Sequence, residues 1–199
     1  RRLRSGAADH ELATVVEAMT TNETSWFRDV APFAALRGHV LPLLRDSGQS
    51  VRIWSAACST GQEPYSILMA LADAPRTVEI VATDLNEQGL GRAREGVYSQ
   101  LEVNRGLPAT SLVRYFTRVG REWEITERLR ERVRVQHLNL AAPYVGLGTF
   151  DVIWLRNVLI YFDATTKADI LRRMLPMLAP DGYLPLGSSE TTLDLPADL

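Results

Sequence analysis

The sequence is poor in the residues that hold metals and form disulfides. Its 199 residues include one cysteine, Cys58, which excludes an internal disulfide framework and any zinc site built from several cysteines. The three histidines, His10, His39 and His137, are scattered along the chain, so no histidine metal cluster is indicated. We therefore expect no metal site, and we interpret Cys58 as a small packing residue and His137 as a core histidine.

Long apolar runs and an excess of charge of either sign are also absent. No apolar run approaches the roughly 18 residues of a transmembrane helix, and no apolar signal-peptide segment follows the basic residues at the start. The 22 Lys and Arg residues are balanced by 24 Asp and Glu residues, whereas dedicated nucleic-acid binders usually carry a clear basic excess. We therefore expect a cytoplasmic protein with no direct membrane insertion and no nucleic-acid partner.

The apolar residues that are present alternate between strand and helix patterns. Hydrophobic residues make up 46% of the chain, which is enough for one core. Strand patterns occur at 51–56, 78–82, 133–137, 150–155 and 183–187, and helix patterns occur at 63–72, 86–95 and 165–178. This alternation predicts an α/β fold with a doubly wound, mostly parallel sheet.

The first 45 residues show helix patterns instead of this alternation. One helix is predicted at 10–20, and a second is predicted over 25–45 with bends at Pro32 and Pro42. We therefore treat residues 1–45 as an N-terminal helical segment that precedes a larger domain.

The larger predicted domain covers residues 46–199, and its alternation lapses at about 107–132. An antiparallel hairpin that turns near Gly120 is predicted within this small β insertion. The surrounding stretch, 92–134, holds ten Arg and six Glu residues. We favour a solvated face of mixed charge, and a positive patch that attracts an acidic partner is the alternative.

The loop after the first strand, at 55–66, is built of small residues that allow a ligand close to the backbone. It has one glycine, Gly61, and therefore neither the G-x-G-x-x-G fingerprint of dinucleotide-binding proteins nor a phosphate-binding P-loop. Glu63 is predicted at the start of the next helix, where its carboxylate would repel a pyrophosphate and favour a cationic ligand. These features point to S-adenosylmethionine (SAM), which joins adenosine to a sulfonium and an ammonium group.

Polar residues follow three further predicted strands, and ligands of parallel sheets bind at the carboxyl ends of the strands. Asp84 lies 23 residues after Gly61. It is predicted to accept hydrogen bonds from the ribose hydroxyls, although an Asp at this position is also a common helix cap. Asn139 and Asn157 end two neighbouring strands, and a shared ligand explains them better than two separate turns.

Five stretches of the sequence resemble the CheR-type protein-glutamate O-methyltransferases of bacterial chemotaxis. They occur in the family's order and span nearly the whole chain, at 19–29, 53–67, 80–85, 151–163 and 178–190. The resemblance implies a Rossmann-like SAM methyltransferase fold with a small antiparallel insertion. It also implies methyl transfer from SAM to glutamates on the cytoplasmic helices of methyl-accepting chemoreceptors, giving γ-glutamyl methyl esters and S-adenosyl-L-homocysteine (SAH).

The resemblance further implies the site residues. Catalytic roles fall on Arg28 and Tyr161. Contacts to SAM fall on Asn22, Thr24, Arg28, Ala57, Glu63, Asp84, Asn139, Leu140, Arg156 and Asn157. The alternatives are a surface salt bridge for Arg28 and a place in the cavity wall for Tyr161. Trp26 and Phe27 are expected either in the helix core or as a cover over the nucleoside.

The sequence departs from the family pattern in three places. Only 21 residues precede Asn22, so we expect most of the family's N-terminal helical domain to be absent. A final strand pair of the family is not found, so we expect the strand at 183–187 to be a sheet edge. The hairpin is short and lacks a glycine-rich turn, so we expect no binding of a receptor tether peptide. Two alternatives stay open, a non-catalytic regulatory domain that binds SAM or SAH and a SAM methyltransferase of small molecules.

Overall fold

The computed structural model describes residues 23–44, 50–74 and 77–190. The predicted helix at 10–20 and the predicted contact residue Asn22 lie outside these residues. None of the helices in the described ranges is long and apolar enough to cross a membrane.

A five-stranded parallel sheet forms the centre of the described structure. Its strands, numbered in chain order with those of a second sheet, are β1 (Val51–Ala56), β2 (Val78–Asp84), β6 (Val133–His137), β7 (Phe150–Leu155) and β8 (Leu178–Tyr183). The strand order is β6-β2-β1-β7-β8, and all neighbours are parallel. Because β1 lies in the middle and the chain crosses to either side of it, the predicted doubly wound α/β sheet is confirmed.

Short helices precede β1 and connect the later strands. They are α1 (Val30–Ala35), α2 (Leu41–Leu43), α3 (Gln62–Ala70), α4 (Glu87–Glu95), α5 (Gln100–Val103), α6 (Ala109–Tyr115), α7 (Glu127–Arg130) and α8 (Ala164–Met174). A π-helical turn, Leu36–Val40, joins α1 to α2. Two 3-10 turns, Leu159–Tyr161 and Leu175–Met177, flank α8.

Both faces of the parallel sheet are covered by apolar side chains. Ile53 and Trp54 are adjacent in β1 and pack into different core clusters, since successive strand side chains point to opposite faces. Trp154 and Ile153 of β7 divide in the same way. The nearly continuous apolar pattern of β7 therefore reflects burial on both faces.

The last strand of the sheet begins earlier than predicted. β8 covers Leu178–Tyr183 and not 183–187, and it forms an edge of the described sheet as expected. It pairs with Phe150 and Val152 of β7 through an irregular register. Gly182 lies in this irregularity, where a Cβ atom would come within 2.9 Å of a backbone oxygen of β7. Asp181 and Gly182, which are typical turn residues, are thus part of β8 and do not precede it.

A second, antiparallel sheet precedes β6. Its strands are β3 (Val97–Ser99), β4 (Phe116–Val119) and β5 (Glu122–Ile125), in the order β3-β5-β4. Gly120, with a φ of 62°, lies in the turn between β4 and β5, which confirms the predicted hairpin. The three-residue β3 was not predicted, because so short a strand has no detectable period.

The predicted helix over 25–45 is wrong in its first part, because α1 begins only at Val30. Phe27 and Asp29 have φ values of 48° and 56°, in the left-handed region that interrupts a helix. Pro32 lies in the first turn of α1, where its missing N–H is tolerated.

Residues 23–29, called the N-terminal segment below, are anchored on the antiparallel sheet. The buried Trp26 ring makes edge contacts with Tyr98 and Phe116, at centroid distances of 4.8 Å and 5.4 Å. Its backbone N–H donates to the carbonyl of Arg105 at 3.0 Å. The next residue, Gly106, has a φ of 96°, and a Cβ atom there would collide with the carbonyl oxygen of Trp26. The anchor therefore requires glycine at this position.

Candidate functional site

A cavity of about 280 Å³ opens at the carboxyl ends of β1, β2, β6 and β7, beside the N-terminal segment. It is lined by every predicted site residue that the structure describes: Thr24, Arg28, Ala57, Glu63, Asp84, Asn139, Leu140, Arg156, Asn157 and Tyr161. These residues converge because the carboxyl ends of parallel strands lie at the same edge of a sheet. Asn139 and Asn157 line the same cavity as expected, but the strands before them are not neighbours, since β2 and β1 lie between β6 and β7.

The backbone around this cavity adopts unusual conformations. Within the described ranges, the residues other than glycine with positive φ are Phe27, Asp29, Ala57, Ser59 and Asn157. All five belong to the N-terminal segment or to the loops that follow β1 and β7. Such angles cost energy in L residues and persist where surrounding contacts fix a loop, often at functional sites.

Asp84 ends β2 with both carboxylate oxygens engaged by backbone groups. Oδ2 accepts a hydrogen bond from the N–H of Ser59 at 2.8 Å, and Oδ1 accepts one from the N–H of Asn86 at 2.9 Å. Each oxygen keeps a second lone pair, and the side chain lines the cavity, so the carboxylate can also accept from a diol. The side-chain cap of α4 is supplied by Asn86, which accepts from the N–H of Gly89.

Glu63 lies in the first turn of α3, and 14% of its side chain is exposed. Oε1 accepts a hydrogen bond from the Ser55 hydroxyl at 2.9 Å, and Oε2 lies 3.9 Å from Nη1 of Arg156. Burial raises the pKa of the Glu63 carboxyl to about 7, against smaller opposing effects of Ser55 and Arg156. A cationic group in the cavity would favour the ionised carboxylate, so Glu63 suits an ammonium or sulfonium ligand.

Arg156 follows β7 and joins the N-terminal segment to the sheet. Its side chain is 1% exposed. Nη1 donates to the carbonyl of Arg28 at 3.0 Å, and Nη2 donates to the carboxylate of Asp29 at 2.7 Å. The segment is thereby held against the carboxyl end of β7.

Arg28 and Tyr161 present side chains suited to a second substrate. Nη1 of Arg28 donates to the carbonyl of Glu23 at 3.2 Å, and no carboxylate of the described residues pairs with this guanidinium. Tyr161 lies on the 3-10 turn after β7 and is 60% exposed. The geometry thus favours a free cation at position 28 over the alternative of a surface salt bridge.

The structure decides the places of three residues that the sequence had singled out. Gly61 does not face the cavity, because a Cβ atom there would lie 2.9 Å from the hydroxyl of Tyr98, so the protein itself fills this space. His137 is exposed and bonds to the carbonyl of Leu85 at 3.0 Å, because it ends β6 at the sheet edge. Trp26 belongs to the core, which favours the first of its two predicted roles.

Sequence reasoning missed two residues near the cavity. Ser59 lines it, and Glu190 accepts hydrogen bonds from the backbone of the turn after β7. The stretch 178–190 contained the signal for Glu190 but gave it no partner. Cys58, in contrast, is buried as expected, and burial raises the pKa of its thiol.

Ion pairs neutralise half of the arginines in the stretch 92–134. Five of its ten arginines pair with carboxylates at 2.7–3.7 Å: Arg92, Arg94, Arg105, Arg114 and Arg130. This pairing supports the interpretation as a solvated face of mixed charge.

The residues around the cavity fit SAM. Four buried polar atoms have no hydrogen-bond partner among the described residues, and two of them, Oγ of Ser59 and Nε of Arg156, belong to residues that line the cavity. Asp84 suits a ribose, and Glu63 suits a cationic tail. In the described part of the chain no group of three or more His, Cys, Asp or Glu side chains is placed to hold a metal.

The parallel sheet and this cavity define a SAM-dependent methyltransferase of Rossmann-like fold. Residues 22–198 match the family described as CheR methyltransferase, SAM binding domain. The chain belongs to this family, which confirms the resemblance seen in the sequence.

Similar proteins agree with this assignment. The chain is 49% identical to Chemotaxis protein methyltransferase 1 of Pseudomonas aeruginosa over 193 residues, which cover 92% of this chain and 70% of the relative. It is 47% identical to Chemotaxis protein methyltransferase Cher2 of Pseudomonas putida, with the same two shares. The glycopeptide N-methyltransferase MtfA, solved with sinefungin, matches with a TM-score of 0.50 at 16% identity, over 92% of this chain and 60% of that chain. This last likeness shows the fold alone.

Proposed function

We propose that this chain transfers the methyl group of SAM to glutamate side chains on the cytoplasmic helices of chemoreceptors, giving γ-glutamyl methyl esters. The names of its relatives support a role in chemotaxis. The observation that carries the proposal is one cavity that holds the carboxylates of Asp84 and Glu63 together with the guanidinium of Arg28. The two carboxylates suit an adenosyl cation, and the guanidinium suits a carboxylate acceptor.

The reaction needs little proton transfer. Bound SAM supplies an electrophilic methyl group on a sulfonium and leaves SAH after the transfer. An acceptor glutamate, with a pKa of about 4.3, is already ionised at pH 7, so no general base is needed. The residues of this chain must therefore hold the acceptor oxygen about 3–3.5 Å from the methyl carbon, in line with the sulfur–methyl bond that breaks. They must also exclude water from the acceptor.

The cavity residues divide into those that bind SAM and those that hold the acceptor. Asp84 accepts hydrogen bonds from the ribose hydroxyls, and Glu63 faces the positively charged tail. Arg28 clamps a carboxylate with its planar guanidinium, either that of the amino-acid end of SAM or that of the acceptor, and the Tyr161 hydroxyl orients the acceptor or the methyl group. The remaining contacts are assigned to Asn22, Thr24, Ala57, Asn139, Leu140, Arg156 and Asn157.

Two further assignments belong to this proposal. The boundary between the N-terminal helical segment, residues 1–45, and the methyltransferase domain, residues 46–199, is placed after residue 45, with the β insertion at about 107–132. We expect this insertion not to bind a receptor tether peptide, because the hairpin turns tightly at Gly120.

The test is methyl transfer from radiolabelled SAM to membranes that contain chemoreceptors. The full-length protein should label the receptors, and alkali should release the label as methanol, as expected of a methyl ester. Arg28→Ala should abolish the labelling, while Arg114→Ala, which removes an exposed ion pair with Asp73, should retain it. SAM binding without labelling would support the regulatory alternative, and labelling of metabolites alone would support the small-molecule alternative.

A further inference from the structure

One carboxylate outside the cavity holds the turn at 157–161, which follows β7 and carries the proposed site residues Asn157 and Tyr161. The Glu190 side chain accepts hydrogen bonds from four backbone N–H groups, those of Asn157, Val158, Leu159 and Gly187. The first three distances are 2.9, 2.8 and 2.7 Å. A charged acceptor makes these bonds stronger than bonds between neutral groups.

The turn needs such an acceptor because its backbone donors converge. Asn157 has a φ of 57°, and the N–H groups that open the 3-10 turn Leu159–Tyr161 have no partner within that turn. The approach to Glu190 is close, since a Cβ atom at Gly187 would lie 2.7 Å from Oε2 of Glu190 and 2.8 Å from Nδ2 of Asn157. Glycine at 187 and the carboxylate at 190 therefore form one support for the turn.

The side chains on this turn and beside it differ in how much they depend on the support. Arg156 has its own anchors in the carbonyl of Arg28 and the carboxylate of Asp29. Tyr161 is 60% exposed, and its hydroxyl has no hydrogen bond to the described residues. The place of the Tyr161 hydroxyl is therefore set by the backbone that Glu190 holds.

We propose that Glu190 is a positioning residue for methyl transfer, which acts by fixing the turn that presents Tyr161 to the reacting groups. This inference rests on the role proposed for Tyr161 above. Glu190 itself does not line the cavity.

The first test is Glu190→Gln in the full-length protein. The amide keeps one acceptor oxygen and turns a donor toward backbone donors, so two of the four N–H groups lose their partner. We expect kcat for receptor methylation at saturating SAM to fall by about 10- to 100-fold. The Kd for SAM should change less than kcat, because Asp84, Glu63 and Arg156 keep their own anchors. A loss confined to the Kd, with kcat unchanged, would overturn the proposal.

The second test is a double-mutant cycle with Tyr161→Phe. If Glu190 acts through Tyr161, the double variant should be no slower than the slower single variant. If the loss of kcat in the double variant instead equals the product of the losses in the two single variants, the proposal is contradicted. Such a result would indicate a merely structural role for Glu190.

Two further variants keep these tests interpretable. Glu102→Gln is a matched control, because Glu102 also accepts a backbone N–H, that of Ser99, but belongs to α5. It should lower the melting temperature and leave kcat unchanged. If Glu190→Gln does not fold, Gly187→Ala displaces the same carboxylate and should reproduce the loss of kcat. A folded Gly187→Ala variant with wild-type kcat would overturn the inference, whereas a wild-type protein that labels no receptor would instead contradict the proposed function.

Discussion

The guanidinium of Arg156 and the carboxylate of Asp29 lie 2.7 Å apart, although 127 residues separate them in the chain. The arginine side chain is 1% exposed, and the aspartate side chain is 47% exposed. This ion pair brings a segment that precedes the first strand to the carboxyl end of β7. It explains why residues so distant in sequence line one cavity.

Asp29→Ala should weaken both ligand binding and folding. The substitution leaves a buried guanidinium with one partner fewer, so we expect the free energy of unfolding to fall by about 1–3 kcal/mol. The affinity for SAH should fall by about tenfold, because the N-terminal segment loses one of its anchors at the cavity. Denaturant titration and calorimetry measure the two effects. The control Asp73→Ala removes an exposed pair with Arg114 and should change stability by less than about 1 kcal/mol.

The affinity for SAM should depend on pH through Glu63. Its pKa of about 7 means that the carboxyl is largely protonated at pH 6 and largely ionised at pH 8. A cationic ligand binds the ionised form, so binding below pH 7 must release a proton, and the affinity should fall by about tenfold from pH 8 to pH 6. Calorimetry across this range tests the expectation.

Glu63→Gln is the control for this pH dependence. Titration of the ligand's own amine is common to both proteins and cancels in the comparison. The variant should bind SAM more weakly at pH 8 and should lose the part of the slope due to Glu63. An identical slope in both proteins would show that Glu63 does not face the cation.

Gly106→Ala should destabilise the fold at the anchor of the N-terminal segment. The residue has a φ of 96°, and an added Cβ atom would collide with the carbonyl oxygen of Trp26. We expect a loss of about 2 kcal/mol or more in the free energy of unfolding. Gly91 offers a matched control, because it lies inside α4 with nothing within 4 Å of an added Cβ atom. Gly91→Ala should stabilise the protein by about 0.5–1 kcal/mol, and a loss in both variants would contradict the account.

The parallel sheet could be predicted from the sequence because its signal is local. The run at 150–155 is almost continuously apolar, as a strand covered on both faces must be. The polar residues that end the strands could then be placed at one edge without knowing any side-chain contact. This is why Asp84 and Asn157 could be assigned to one cavity in advance.

Other features depend on contacts that no local pattern records. The sequence could not tell whether Gly61 admits a ligand or the Tyr98 hydroxyl, since either requires a small residue. The backbone at Phe27 is set by partners far along the chain and not by the helical spacing around it. The sequence did not show what Glu190 binds, because three of its four partners are backbone groups 31–33 residues away.

The crystal structure of the protein with SAH tests the central claim most directly. The account predicts that SAH occupies the cavity at the carboxyl ends of β1, β2, β6 and β7. Its ribose hydroxyls should bond to the carboxylate of Asp84, and its amino-acid end should lie beside Glu63 and Arg28. SAH bound away from Asp84, or a cavity closed by the protein's own side chains in the presence of saturating SAH, would contradict the account.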